Sequence, residues 1–226
     1  MLAIETSSRT GSVALGVDGV VTERTIAEPR EQTARILALV DELLAAAGLG
    51  LPDLDALVFG RGPGSFTGLR IAAAVAQGLS LASGVPIVAV SSLAALALRG
   101  FRDASGDFGM PNRALCCVDA RMGEVYWASF ARAGSLVAAA SEERIGRPSA
   151  VVAPEGRFVG LGDGFAACEK ALGAVIAGAA GVVAELEPGA PELLALALPD
   201  VEAGRFVPPA AALPVYLREA DAWKSR

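Results

Sequence analysis

The 226-residue chain contains no histidine, and this absence excludes more chemistry than any other feature of its composition. Ser-His-Asp triads, Cys-His dyads and HExxH zinc sites all need an imidazole as base or ligand, so hydrolases of those types are excluded. Cysteine is also scarce. Cys116, Cys117 and Cys168 leave one thiol over in any pairing, which predicts a reducing, cytoplasmic setting.

Positive charge is in deficit. The chain has 19 basic and 25 acidic residues, a net charge of -6 and an isoelectric point of about 4.8. It therefore lacks the overall basic field that drives autonomous nucleic-acid binding, and RNA contact would need a partner or a local patch. Residues 71–98 carry no charge, but Gly84 and Pro86 interrupt them, so we expect a buried helix and strand and no membrane span. The N-terminus lacks the basic residues of a secretory signal.

Hydrophobic residues make up 53% of the chain against 19% charged, which predicts a globular fold with a substantial core. Short β-rich runs, helical periodicities and glycine stops give the order βββαβαβα for the first half. The predicted strands are residues 2–6, 12–17, 20–26, 57–59 and 86–90, and the predicted helices are 31–47, 66–82 and one starting near 91.

The second half of the sequence echoes the first. A strand ending in an acid, a hairpin, and a strand running into alternating glycines recur, with residues 158–164 matching 58–64. This order predicts two similar α/β lobes, residues 1–103 and 104–226, joined by a polar linker at residues 99–112. We expect the last helix of the second lobe to pack back on the first.

Two such lobes resemble the actin, sugar-kinase and heat-shock ATPase superfamily, whose fold is RNase H-like and whose two hairpin loops grip ATP phosphates. Such loops need small residues so that backbone N–H groups can approach phosphate. The loops that follow Glu5 and Asp119 lack a glycine two residues after the acid. The resemblance therefore implies this fold with degraded ATP-phosphate loops. Glu5, Asp119 and Asp163 are more readily explained as caps on backbone donors than as metal ligands.

More specific segments lie at residues 60–71 (GRGPGSFTGLRI), 119–127 (DARMGEVYW) and 214–218 (PVYLR). With Pro29-Arg30-Glu31 and the opening strand, they closely resemble the TsaB (YeaZ) family, the non-catalytic partner in bacterial synthesis of threonylcarbamoyladenosine on transfer RNA. The resemblance spans nearly the whole chain, although residues 130–210 match only by pattern. Many relatives have histidine where this chain has Gln32.

The resemblance implies a cytoplasmic scaffold without catalytic or metal-binding residues. It would bind TsaD, the subunit with the metal and active site, and the ATPase TsaE, and would reach transfer RNA through that complex. ATP and metal would then belong to the partner subunits, with no cofactor in the isolated chain. TsaD-like metal chemistry uses two histidines on a helix, and this chain has none. An active ATP-dependent small-molecule kinase of the same fold is the alternative function, and a peptidase is a third.

Two sets of residues are candidate contacts. The first helix carries one apolar stripe and a second one at Leu37 and Leu44, and small residues follow one face of the second helix, so both helices could meet a partner or form the core. The predicted partner interface is Ile36, Val40, Leu43, Ala47, Gly68, Ala72, Ala76 and Leu79. The same surface predicts a homodimer when the chain is alone.

The glycine loop before the second helix is the other candidate. It could bind an anion or nucleotide at the complex interface, or its glycines could simply permit a tight turn with Ser65 as the helix cap. The residues concerned are Gly60, Arg61, Gly62, Gly64, Ser65 and Arg70. A short basic aromatic tail, residues 223–226, could touch RNA or a partner, or could fray.

Overall fold

The first lobe is built on a five-stranded mixed sheet. The structure is a computed structural model that describes residues 1–103 and 111–218. Strand order is β3-β2-β1-β4-β5, with an antiparallel meander followed by two strands parallel to β1. The strands are β1 (Leu2–Glu5), β2 (Gly11–Val17), β3 (Val20–Ile26), β4 (Leu57–Gly62) and β5 (Ile87–Ser91). Asp18 and Gly19 turn the β2–β3 hairpin with positive φ, as their sequence predicts.

The second sheet has the same connectivity. Its order is β11-β10-β6-β7-β8, with β6 antiparallel to β7 and parallel to β10, so β6 takes the place of β1 and β10 that of β4. The strands are β6 (Arg113–Arg121), β7 (Glu124–Ala133), β8 (Leu136–Ala139), β9 (Arg144–Gly146, paired with β7), β10 (Val159–Leu161) and β11 (Gly181–Val183). This duplicated topology confirms the predicted two-lobe α/β fold.

Six α-helices cover the sheets, and two of them cross between the halves of the chain in the part that the structure describes. They are α1 (Gln32–Ala47), α2 (Phe66–Ser83), α3 (Ser92–Asp103), α4 (Gly164–Ala167), α5 (Gly173–Gly178) and α6 (Ala190–Glu202). α1 and α2 pack on one face of the first sheet, and α6 packs on its other face. α3 packs on the second sheet, whose outer face meets α4 and α5.

The uncharged stretch at residues 71–98 forms most of α2, then β5 and the start of α3. Glycines in the left-handed region, Gly48 and Gly84, end α1 and α2, and the Ser65 hydroxyl caps α2 by accepting from the Gly68 N–H. Across residues 1–103 and 111–218, no helix is long and apolar enough to cross a membrane. Of the predicted linker at residues 99–112, residues 99–103 belong to α3, where Phe101 is buried against the second sheet, and residues 104–110 lie outside the described residues.

Candidate partner-binding face and inter-lobe cleft

The predicted partner stripe lies in the core of the first lobe. Ile36, Val40, Leu43, Ala72 and Ala76 are at most 1% exposed and pack between the helices and the sheet. The prediction that they face outward is therefore wrong for the single chain. Both helices have apolar residues on more than one face, and the sheet covers the face that includes this stripe.

The remaining residues of the predicted partner interface differ in how deeply they are buried. Gly68 is buried where α2 crosses the end of β1, and a Cβ there would lie 1.7 Å from the Thr6 carbonyl oxygen. Leu79 is half-buried against the same core, whereas Ala47 is exposed at the end of α1. The small residues of α2 thus permit close approach to the chain's own backbone.

The outward face of α1 and α2 also carries large exposed apolar side chains. Leu37, Phe66 and Leu81 are 51%, 55% and 77% exposed. A shallow groove of about 370 Å³ lies beside Phe66, and its walls are Thr33, Phe66, Thr67, Arg70, Ile71, Ala74 and Val75. We call these seven residues the outer groove. Leu37 follows Thr33 by one helical turn on α1, so it extends the same face. The sequence signals for this surface were the helical spacing of Leu37 and the candidate contact residue Arg70.

The glycine loop accommodates the loop that follows β1. A Cβ on Gly60 would lie 2.2 Å from the Glu5 carboxylate, and one on Gly64 would lie 2.5 Å from the Ser7 carbonyl oxygen. The Ser65 N–H donates to that same carbonyl at 2.7 Å. Gly62, with φ +98°, turns the strand toward α2. These close approaches account for the alternating glycines without any bound anion.

The two arginines beside this loop already have partners within the chain. The Arg61 guanidinium donates two hydrogen bonds to Glu143, at 2.9 and 3.2 Å, and Ser91 donates to the same carboxylate. Arg70 stacks over the Phe66 ring at 3.9 Å and donates from Nε to the Tyr216 hydroxyl at 3.1 Å. An anion would have to displace these contacts, so both arginines are engaged in tertiary structure.

Glu5 is fully buried at the end of β1, the position of the acid in the first phosphate loop. Its carboxylate accepts from the Ser7 N–H at 2.6 Å and from the Ser92 hydroxyl at 2.8 Å. Burial raises the pKa of Glu5 above its ordinary value, and the hydrogen bonds from Ser7, Ser92 and Thr6 oppose that rise. The carboxylate therefore caps local donors, and among the described residues no cluster of three or more His, Cys, Asp or Glu could hold a metal.

Replacing Glu5 by glutamine should change how stability depends on pH. The raised pKa means that folding favours the protonated acid, a contribution present below the unfolded pKa and lost as pH rises through the folded value. An amide cannot ionise, so the thermal midpoint of Glu5→Gln relative to wild type should rise as the pH increases above 4.5, the ordinary pKa of that carboxyl group. Exposed Glu28→Gln is the matched control. Parallel pH profiles for wild type and Glu5→Gln in scanning calorimetry would contradict this assignment.

The corresponding acids of the second lobe also cap backbone. Asp163 accepts from the Asp119 N–H at 2.9 Å, and Asp119 accepts from the N–H and the guanidinium of Arg121 at 2.8 and 2.9 Å. Burial raises the pKa of Asp163. The hairpin after β6 turns through positive φ at Arg121 and Met122. The acids at the ends of β1 and β6 therefore both accept hydrogen bonds from backbone N–H groups of the loops that follow them.

Gln32 has a definite role that sequence reasoning missed. The side chain is buried, and its amide donates to the carbonyls of Ser8 and Arg9 at 3.4 and 3.1 Å. It also fills the space over Gly11, where a Cβ would be 3.1 Å from it. Gln32 thus ties the start of α1 to the loop between β1 and β2. The basic aromatic tail at residues 223–226, predicted as a candidate contact with RNA or a partner, lies outside the described residues.

Sequence comparison finds relatives of this chain among proteins of tRNA threonylcarbamoyladenosine synthesis. The family model described as TsaD, tRNA N6-adenosine threonylcarbamoyltransferase, matches residues 12–177. The tRNA threonylcarbamoyladenosine biosynthesis protein TsaB of Escherichia coli (strain K12) is 38% identical over 237 residues, covering 99% of this chain and 96% of that protein.

Solved structures agree with the sequence comparison. YeaZ from Pseudomonas aeruginosa is 37% identical, with a TM-score of 0.86, and the match covers 96% of this chain and 98% of that one. A second structure from Pseudomonas aeruginosa, described as an uncharacterized protein with similarity to peptidase YeaZ, is 38% identical with a TM-score of 0.87 and the same coverage. These matches extend over the fold as a whole, including both lobes.

Proposed function

Because the chain belongs to the TsaB (YeaZ) family and acts in tRNA threonylcarbamoyladenosine biosynthesis, we propose that it is a non-catalytic scaffold subunit of the transferase complex. It binds TsaD, and with TsaE supports transfer of the threonylcarbamoyl group to the adenosine beside the anticodon. The observation that best supports a non-catalytic role is the environment of Glu5, whose carboxylate is buried and accepts hydrogen bonds from Ser7 and Ser92. An acid so enclosed is not free to position a phosphate-bound metal or a water molecule.

The kinase and peptidase alternatives each lack a necessary group. A kinase of this fold needs two open phosphate loops, whereas here the acids of both loops bond their own backbone. A peptidase of the excluded types needs a histidine base, and the chain has none. The match to the TsaD family model is consistent with a shared fold. ATP and metal are accordingly assigned to the partner subunits and not to this chain.

We place the TsaD-binding surface on the outer groove and Leu37. This surface is exposed, apolar and made by two neighbouring helices, which suits helix-to-helix docking with a similar surface. The isolated chain should cover the same surface by forming a homodimer. In the cytoplasm TsaD would replace the second copy, and transfer RNA would be reached through the complex. Comigration of the purified chain with TsaD in size-exclusion chromatography tests this assignment.

The purified chain should have no ATPase or kinase activity. Both loops lack the glycine that lets backbone N–H groups approach phosphate, and their acids are occupied. Turnover should therefore stay far below about 1 per second, the low end of ordinary enzymes. The measurement is release of phosphate from ATP, with Glu5→Gln as the control for contaminating ATPases. Turnover above that rate that disappears in Glu5→Gln would establish the kinase alternative.

A further inference from the structure

The segment at residues 213–218 crosses from the first lobe to the second, and its sequence motif has no part in the function proposed above. We call it the C-terminal strap. Before it, the chain is fixed to the first lobe, where the Val207 N–H donates to the Ile87 carbonyl at 2.9 Å and Gln77 donates to the Ala212 carbonyl at 3.0 Å. The Val215 N–H then donates to the Arg61 carbonyl at 2.9 Å.

The first anchor of the strap is Tyr216, which contacts the start of α2. Its ring lies 5.4 Å from the Phe66 ring, and its hydroxyl accepts from Arg70 at 3.1 Å. The Arg70 guanidinium lies over the Phe66 ring, 3.9 Å from its centroid, and is 5.9 Å from the centroid of the Tyr216 ring, so the three side chains contact one another as a cluster. Phe66 and Arg70 also line the outer groove, so this anchor lies at its end.

The second anchor is Arg218, on the other lobe. Its Nη2 donates to the Ala120 carbonyl at 3.2 Å and to the Glu124 carboxylate at 2.5 Å, and its Nη1 lies 3.1 Å from the Met122 sulfur. The side chain is only 16% exposed. All three partners belong to the tip of the β6–β7 hairpin, so a single planar guanidinium fixes that tip from the side of the strap.

Between the anchors the strap borders the cleft between the lobes. Leu217 lines an opening of about 680 Å³ together with Phe130 and the Arg61–Glu143 pair. Arg61 precedes α2, while Glu143 lies between β8 and β9, so this ion pair also joins the two lobes. Helices α3 and α6 already join the lobes through packed apolar faces. The strap adds polar contacts between the lobes, through Tyr216 at the start of α2 and Arg218 at the tip of the β6–β7 hairpin.

We propose that residues 213–218 couple the start of α2 in the first lobe to the β6–β7 hairpin tip in the second. Tyr216 and Arg218 are two residues apart, so their Cα atoms can never be more than about 7 Å apart, and a displacement of one anchor is passed to the other. Releasing Tyr216 from Phe66 weakens the position of Arg218 on the hairpin, and releasing Arg218 loosens Tyr216 on α2. The inference concerns this chain alone and does not depend on TsaD binding.

Hydrogen exchange with mass spectrometry on the full chain tests the coupling. Tyr216→Ala removes a side chain that touches only the first lobe in these contacts, yet we expect exchange of the hairpin, residues 119–126, to rise about tenfold. Arg218→Ala should raise exchange at the start of α2, residues 65–72, as well as at the hairpin. Arg218→Lys should behave more like alanine than like wild type, because an ammonium lacks the guanidinium fork.

Two controls keep the result specific. Arg205→Ala removes an arginine that lies between α6 and the strap and pairs with Asp200, and it should leave hydrogen exchange of the hairpin unchanged. Tyr216 is 48% exposed, so Tyr216→Ala should fold, and circular dichroism checks this. If Tyr216→Ala leaves hairpin exchange at the wild-type rate, or Arg218→Lys leaves both regions at the wild-type rate, the coupling does not exist. If Arg218→Ala fails to fold, these two comparisons still decide.

Discussion

Leu37→Asp and Ala74→Arg should each abolish TsaD binding while leaving the chain folded. Both positions are exposed in the single chain, so a charge there remains hydrated and costs little until a partner covers it. Within an apolar interface the same charge would be unpaired, and affinity should fall by about a hundredfold or more. Circular dichroism measures folding, and a pull-down with TsaD measures binding.

Val152→Asp is the matched control for this pair. Val152 is 72% exposed on the second lobe, so the substitution changes the same kind of group at a distance from the outer groove. It should leave both folding and binding unchanged. Folded Leu37→Asp and Ala74→Arg variants that bind TsaD as wild type does would remove the outer groove from the interface.

Leu43→Asp should unfold the first lobe, although it introduces the same group into the same helix as Leu37→Asp. Leu43 is 1% exposed and packs in the core against the sheet. Removing that side chain and burying an unpaired carboxylate together cost more than about 4 kcal/mol, a large part of the total stability of an ordinary domain. Urea unfolding followed by circular dichroism should show a much lower midpoint or no cooperative transition.

The same pair of variants separates the two stripes of α1. If Leu43→Asp folded with the wild-type midpoint and lost TsaD binding, the stripe of Ile36, Val40 and Leu43 would be the partner face after all. Ala76→Arg makes the same test on α2, because Ala76 is fully buried and an arginine has no space there. Leu37→Asp on the outward stripe provides the folded reference.

Local signals predicted the elements of the first lobe well. Asp18-Gly19 located the hairpin, Gly48 and Gly84 located the ends of α1 and α2, and β3 spans the predicted residues 20–26. The echo between residues 58–64 and 158–164 predicted the duplicated fold, and in both loops the middle glycine has positive φ, +98° at Gly62 and +105° at Gly162. Such signals depend only on neighbouring residues or on an internal repeat.

The orientation of the helix faces could not be predicted in the same way. α1 carries apolar residues at both Leu43 and Leu37, and helical spacing alone does not say which stripe meets the sheet. The pairing of Arg61 with Glu143 and of Arg218 with Glu124 joins residues 82 and 94 positions apart. Contacts at that separation arise from the tertiary fold, so the engaged state of these arginines was not visible in the sequence.

The most direct test of the scaffold assignment is the threonylcarbamoyladenosine content of transfer RNA in a bacterial strain that lacks its own TsaB and expresses this chain. Mass spectrometry of the nucleosides should show the modification restored by wild type and by Glu5→Gln, because no catalytic acid is required, and absent with Ala74→Arg. Restoration by wild type but not by a folded Glu5→Gln variant would contradict the non-catalytic role, and no restoration by the folded wild-type chain would contradict the proposed function itself.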